Sequence, residues 1–314
     1  MAQKLKEVFG EELSIDEAVE RIIADVRLKG DGALFHYSRS IEGVELNQLE
    51  VSKEEIAAAY KAVAEELVAA LKLAAERIHD FHSASAQKQS SWFDSEKGLG
   101  QIVRPLERVG IYAPGGKACY PSTVLMTAIP AKVAGIEEII LTTPPQRDGS
   151  IPPPTLVAAD IAEVERIFKL GGAQAIVALA LGTESIPKVD KICGPGNVFV
   201  VAAKKRVYGM VDIDGLQGPT ETIILADDSA KPDFLAADLL AQAEHDEAAS
   251  AIVITTSAVL AEKVGREVER QLLKLERQDI ARESLGRNGG IVIVEDMEQA
   301  IELVNSYAPE HLCL

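Results

Sequence analysis

The chain lacks what would draw it to nucleic acid or hold it in a bilayer. Its 32 Lys and Arg stand against 49 Asp and Glu, a formal net charge of −17 over 314 residues. That balance opposes binding to a phosphate backbone, which depends on neutralisation by basic side chains. No apolar run approaches the roughly 18 residues of a membrane span, and the leading residues MAQKLKEVFG carry no apolar signal core. These absences predict a cytoplasmic protein with no nucleic-acid and no membrane partner. Cysteine is sparse: Cys119, Cys193 and Cys313 are odd in number and have no CxxC spacing. They are expected to be small buried hydrophobes in a reducing compartment. Fixed-period repeats and low-complexity tracts are missing, as are the GxGxxG fingerprint and the GxxxxGK phosphate loop.

What is present is a hydrophobic content of 47%, ample for a core, on a chain long enough for two domains. The first part reads as helical. Ser14 with Glu17 and Ser52 with Glu55 make capping boxes, the second ahead of one long helix running through IAAAYKAVAEELVAALKLAAERI, and Gly30 is a stop for the first. From Val109 onward, short apolar runs alternate with helices: RVGIY, EEIILTT, RIFKLGG, KVDKICG, MVDID, TIILAD, AIVITT and GIVIVE read as strands buried on both faces. Residues 257–285 read as one long helix. Such alternation predicts an α/β fold with mainly parallel sheets and a helical N-terminal region.

Three glycine loops follow predicted strands: Ala113-Pro114-Gly115-Gly116, Gly171-Gly172-Ala173-Gln174 and Gly194-Pro195-Gly196-Asn197. Small residues there let a ligand approach the backbone, and the free amides of a helix start attract an anionic group such as a pyrophosphate. A nucleotide is the natural candidate, in a crevice beyond the carboxyl ends of the strands. Two polar clusters sit elsewhere. Gln242 and His245 are three apart at a helix end, so an amide oxygen and an imidazole can share a face as half of a metal site. Glu310 and His311 pair a carboxylate with an imidazole, groups suited to moving protons near neutral pH. His79 and His82 share the same three-residue spacing without a neighbouring carboxylate cluster.

The segments RVGIYAPGGKACYPSTVLMTAIPAKVAG, KLGGAQAIVALALGTESIPKVDKICGPGN, GPTETIILAD, DLLAQAEHD and NSYAPEHL occur in this order. Together they resemble histidinol dehydrogenase, from about Gly30 to the end of the chain. The resemblance implies two incomplete Rossmann-like domains. Residues 1–111 with 221–314 would form the first, carrying the zinc and catalytic residues; 112–220 would be an inserted NAD-binding domain. It further implies oxidation of L-histidinol to L-histidine via L-histidinal, by two hydride transfers to NAD, with zinc holding the substrate in a homodimer. Carried over by residue, NAD contacts fall on Tyr112, Gln174 and Asn197, and zinc ligands on Gln242 and His245. Substrate contacts fall on Thr220 (the family commonly has Ser there), Gln242, His245 and His311, and the acid/base pair is Glu310 and His311.

Family members continue beyond the EHL motif, and that part carries an Asp and a His that complete the zinc site and a Glu that contacts substrate. Ending at Leu314, the chain is expected to bind zinc weakly and turn over poorly. At Asp246 a small residue is usual. Two alternatives stay open: a dehydrogenase of the same family acting on another polar alcohol, such as a sulfonated diol, and a folded nucleotide-binding fragment without catalysis.

Overall fold

Both expected capping boxes form. Ser14 Oγ accepts from the Glu17 N–H at 3.3 Å while Glu17 Oε2 accepts from the Ser14 N–H at 2.8 Å. Ser52 and Glu55 repeat the arrangement at 3.2 and 2.9 Å. Each box satisfies two amides that a helix start otherwise leaves unpaired. The computed structural model describes residues 2–86, 91–115, 119–216 and 218–314, so Gly116 of the first glycine loop lies outside the described residues. The chain divides into two compact units, Met1–Gly218 and Pro219–Leu314.

The first unit begins with α1 (Ala2–Phe9), α2 (Ile15–Lys29), α3 (Asp31–Tyr37), a π-helical turn at Ser38–Glu42, α4 (Lys53–Ala62) and α5 (Glu65–Ala86). Gly30, at φ +53, ends α2 as expected. The expected single long helix is two, because Val63 is extended (φ −101, ψ 134) and breaks the chain between α4 and α5. A hairpin of β1 (Trp92–Asp94) and β2 (Leu99–Gln101) follows. Then come β3 (Arg108–Tyr112), α6 (Pro121–Val133), β4 (Glu138–Thr143), α7 (Pro153–Ile161), β5 (Arg166–Lys169), α8 (Gly172–Leu181), β6 (Lys191–Cys193), α9 (Val198–Val207) and β7 (Asp212–Ile213).

Strands β3 to β7 form a parallel sheet of order β5-β4-β3-β6-β7. It is covered on both faces. Val109, Ile111, Ile139 and Leu141 pack with α4 to α7, whereas Tyr112, Ile140 and Ile192 pack with α2, α3, α8 and α9. Each fully buried Ile or Leu contributes about 1.5–3 kcal/mol. The N-terminal helices therefore pack against this sheet, and the contact division groups residues 1–111 with 112–218, where the sequence reading joins them to 221–314.

The second unit comprises β8 (Glu221–Ala226), α10 (Pro232–Ala243), β9 (Ser250–Thr255), α11 (Ala258–Leu272), α12 (Gln278–Asn288), β10 (Gly290–Ile293), α13 (Met297–Tyr307) and β11 (His311–Cys313). Its parallel sheet has the order β10-β9-β8-β11. Ile224 and Ala226 face α10 and α11, and Ile223 faces Ala300 and Val304 of α13. The stretch expected as one helix is α11 and α12. Of the cysteines, Cys119 and Cys313 are exposed and Cys193 is half-buried, so the expectation of three buried hydrophobes does not hold.

Candidate active site

In the first unit the chain builds β3, β4 and β5 toward one edge and then returns to lay β6 on the other side of β3. Connections leave β3 and β6 in opposite directions, the arrangement that opens a crevice at the carboxyl ends of an open parallel sheet. Tyr112 is the last residue of β3 and, by strand alternation, faces α8 and α9. Its ring is 2% exposed, and burial pushes the phenol up to about 12, so it stays protonated at neutral pH. The Tyr112 hydroxyl accepts from the Gly172 N–H at 3.1 Å, and Glu42 Oε1 accepts from the Gly171 N–H at 2.8 Å. Asn197 caps α9, with its Oδ1 accepting from Phe199 N–H and Val200 N–H at 3.0 and 3.2 Å. These amides, read from the sequence as free to attract an anion, are taken by side chains of the protein itself.

A pocket of about 360 Å³ opens there, lined by Gly172, Gln174, Asn197 and Phe199 with apolar side chains of α1 and α2. Gln174 is fully buried, and among the described residues neither its Oε1 nor its Nε2 has a hydrogen-bond partner. Two unpaired buried polar atoms are costly, about 1–3 kcal/mol each. Gln174→Met keeps the volume and removes both, so the ligand-free protein should gain about 1–3 kcal/mol, read as a higher urea midpoint. A lower midpoint would show that the amide is partnered in solution.

In the second unit the remaining candidates gather at the opposite end of a sheet. Glu221, which follows Thr220, pairs with Ser250 at the start of β9, and the Ser250 N–H donates to Thr220 O at 2.9 Å. His311 pairs with Thr222. Since α10 leaves the carboxyl end of β8 and must return to the start of β9, its C-terminal Gln242 and the following His245 lie at the amino edge too. Thr220, Gln242, His245, Glu310 and His311 thus share the amino edge of one sheet, unlike the glycine loops of the first unit, which the sequence reading sets at carboxyl ends. His311, in register with Thr222, takes the parity of Ile224 and faces α10. The His311 and Glu310 side chains are 54% and 46% exposed, with Nε2 and Oε1 3.9 Å apart, too far for a direct hydrogen bond.

Gln242 is half-buried and His245 exposed. Asp246 does not serve His245: its Oδ1 accepts from the Ala248 N–H at 2.8 Å and fastens the turn. Among the described residues no three His, Cys, Asp or Glu side chains come together as a metal cluster, His79 and His82 included. Sequence reasoning also passes over Glu42, Lys204 and Asp214, which hold the glycine loops from 10 to 129 residues away. No local motif marks those partners.

The sequence profile described as histidinol dehydrogenase matches residues 7–314. Histidinol dehydrogenase of Dehalococcoides mccartyi is 56% identical over 300 residues, 95% of this chain and 68% of that protein. The Moorella thermoacetica enzyme of the same name is 53% identical over 299 residues, 94% of this chain and 70% of that protein. The crystal structure of histidinol dehydrogenase from Elizabethkingia anophelis superposes with a TM-score of 0.88 at 40% identity, covering 96% of this chain and 70% of that one. At such identity over nearly its whole length, the chain belongs to the histidinol dehydrogenase family of oxidoreductases.

Proposed function

We propose that the protein oxidises L-histidinol to L-histidine through L-histidinal, using NAD, as a step of histidine biosynthesis in the cytoplasm. The observation that carries this reading is the convergence of Thr220, Gln242, His245, Glu310 and His311 on the amino edge of one sheet. The first unit fits NAD, since Gln174 presents an unpartnered buried amide to a pocket that Asn197 also lines. Gln174 and Asn197 would hold the cofactor, with Tyr112 fixing the Gly172 backbone beside them. Bound NAD would accept the hydride at each of the two oxidations.

His311 takes the hydroxyl proton of the alcohol onto an imidazole nitrogen, the general-base role that histidine fills most often. Glu310 accepts a proton from the water that adds to the aldehyde while His311 returns its proton to the aldehyde oxygen, giving the hydrate, and the freed His311 then takes a hydroxyl proton of that hydrate in the second oxidation. The Thr220 hydroxyl gives the substrate a directional hydrogen bond. Zinc does not fit as well. Gln242 and His245 are two donors, short of the usual three or four, and the described residues add no cluster to them. No proton transfer above is therefore routed through the metal. Support for a homodimer comes from the hairpin, whose Trp92, Phe93 and Leu99 are exposed together with nearby Ile102.

The test supplies L-histidinol, NAD and zinc, follows NADH by absorbance, and runs a sulfonated diol in parallel. NADH from histidinol supports the proposal. NADH from the diol alone moves the substrate to another polar alcohol. A rise in melting temperature with NAD but no NADH from either would make the chain a nucleotide-binding protein without catalysis.

A further inference from the structure

Lys204 is the one buried lysine among the described residues: its side chain is 2% exposed, in a helix whose other buried positions are Val200, Ala203 and Val207. A buried ammonium costs several kcal/mol unless it is paired, and an apolar residue of similar volume is often neutral or better for stability. Packing of α9 alone does not call for a cation here. Its partners are specific. Nζ donates to Gly194 O at 2.6 Å and to Asp214 Oδ1 at 2.6 Å, while Asp214 Oδ2 accepts from the Gly194 N–H at 2.7 Å. Asp214 Oδ1 also accepts from the Gly215 N–H at 2.8 Å.

Gly194 is thus held at both of its peptide groups, the N–H by the carboxylate and the C=O by the ammonium. It needs such holding. At φ +114 it occupies backbone space that side-chain-bearing residues rarely enter, and a Cβ there would meet Tyr112 O at 2.0 Å. Glycine is therefore required at this point, and glycine is also the residue with the most conformational freedom to lose. Three residues further on is Asn197, whose Oδ1 is spent on capping α9, leaving its Nδ2 donor for a ligand in the pocket. A loop that turned at Gly194 by a few tens of degrees would carry Asn197 away from Gln174.

We infer that Lys204 and Asp214 are positioning residues for the cofactor: together they clamp Gly194 and so set the place of Asn197 in the NAD pocket. This rests on the reading of that pocket as the NAD site. Neither side chain lines the pocket. Their charge–charge and charge–dipole bonds replace the fixing that a side chain on Gly194 would otherwise give.

The test is calorimetric titration of the whole chain with NAD alone, combined with melting temperatures and amide hydrogen exchange at residues 194–197. Lys204→Met should weaken NAD binding about tenfold or more and speed exchange in the loop. Lys204→Arg, which keeps the charge and donors, should restore most of the affinity. Should Lys204→Met fail to fold because it strands the Asp214 carboxylate, Lys204→Met with Asp214→Asn removes both charges and carries the same expectation. A variant with a lowered melting temperature but unchanged NAD affinity would overturn the inference, leaving the pair a purely structural one. Asn197→Ala and Gln174→Met separate the two levels. If they weaken NAD binding and Lys204→Met does not, the clamp alone is wrong; if neither they nor Lys204→Met affect it, the NAD pocket itself is wrong.

Discussion

On the proposed function, replacing His311 by Asn is expected to lower NADH formation from L-histidinol by about 10²–10⁴-fold, the range lost when a positioned acid/base group is removed. The size of the effect follows from where the residue sits. β11 is short, and three register pairs with β8 hold His311 on the α10 side, at the edge shared with Thr220, Gln242 and His245. The side chain is half exposed and makes no hydrogen bond among those described, so it contributes little to stability. Substitution at such a position shifts stability by about 0.5 kcal/mol or less. A large rate loss with an unchanged melting temperature is the expected pair of results. A rate that stays within about a factor of ten of the parent would remove His311 from the proton-transfer role.

Gly194→Ala is expected to cost about 4 kcal/mol or more, the exceptional end of single substitutions. Two terms add. The positive φ of +114 is unfavourable for any residue with a Cβ, by about 1–2 kcal/mol, and the new methyl would lie 2.0 Å from the Tyr112 carbonyl oxygen. That oxygen belongs to the end of β3, in the middle of the sheet, and has no slack to give. Gly209→Ala is the control, since Gly209 has φ +95 but nothing within 4 Å of an added Cβ. It should lose only the conformational term, about 1–2 kcal/mol. Urea unfolding of the two variants separates strain from collision. Equal losses would mean that the β3 end moves to accept the methyl.

Much of this architecture is legible in the sequence, for reasons that differ by element. Most strands from β3 to β10 announce themselves as short apolar runs because they are interior to parallel sheets or pack at least one face, but β10, read as buried on both faces, is an edge strand in which only Ile291 is half-buried. The capping boxes are local and need no tertiary knowledge. The breaks after α4 and α11 leave no such mark. Neither carries Gly or Pro, and the apolar spacing continues across Val63 and across Leu273. The hairpin β1–β2 has a turn signal, with Asp94 accepting from the Glu96 and Lys97 amides and Gly98 at φ +65, but its strands are too exposed to show an alternating pattern.

The site divides the same way. Tyr112, Gln174 and Asn197 are readable because each adjoins a glycine turn at a strand end. The identity of the groups occupying those turns is not readable: Glu42 reaches Gly171 across 129 residues and Tyr112 reaches Gly172 across 60. Nor does the general rule for open α/β sheets foresee that the candidate residues of the second unit lie at its amino edge. For Glu310 and His311 it follows from the pairing of His311 with Thr222, in a strand too short to carry a periodic signal.

That pairing has a consequence for how the segment can change over generations. Between α13 and β11 lie only Ala308, in the left-handed region at φ 55, and Pro309 and Glu310. Adding or deleting one residue there would advance β11 by one step, and one step exchanges the two sides of a strand. Leu312 would then face α10 and the imidazole would face α13. Point substitutions in this connector alter its chemistry by degrees, whereas a frame-preserving insertion of a single codon would trade the imidazole on the α10 side for a leucine. The length of this three-residue link is therefore expected to tolerate change less than its composition does.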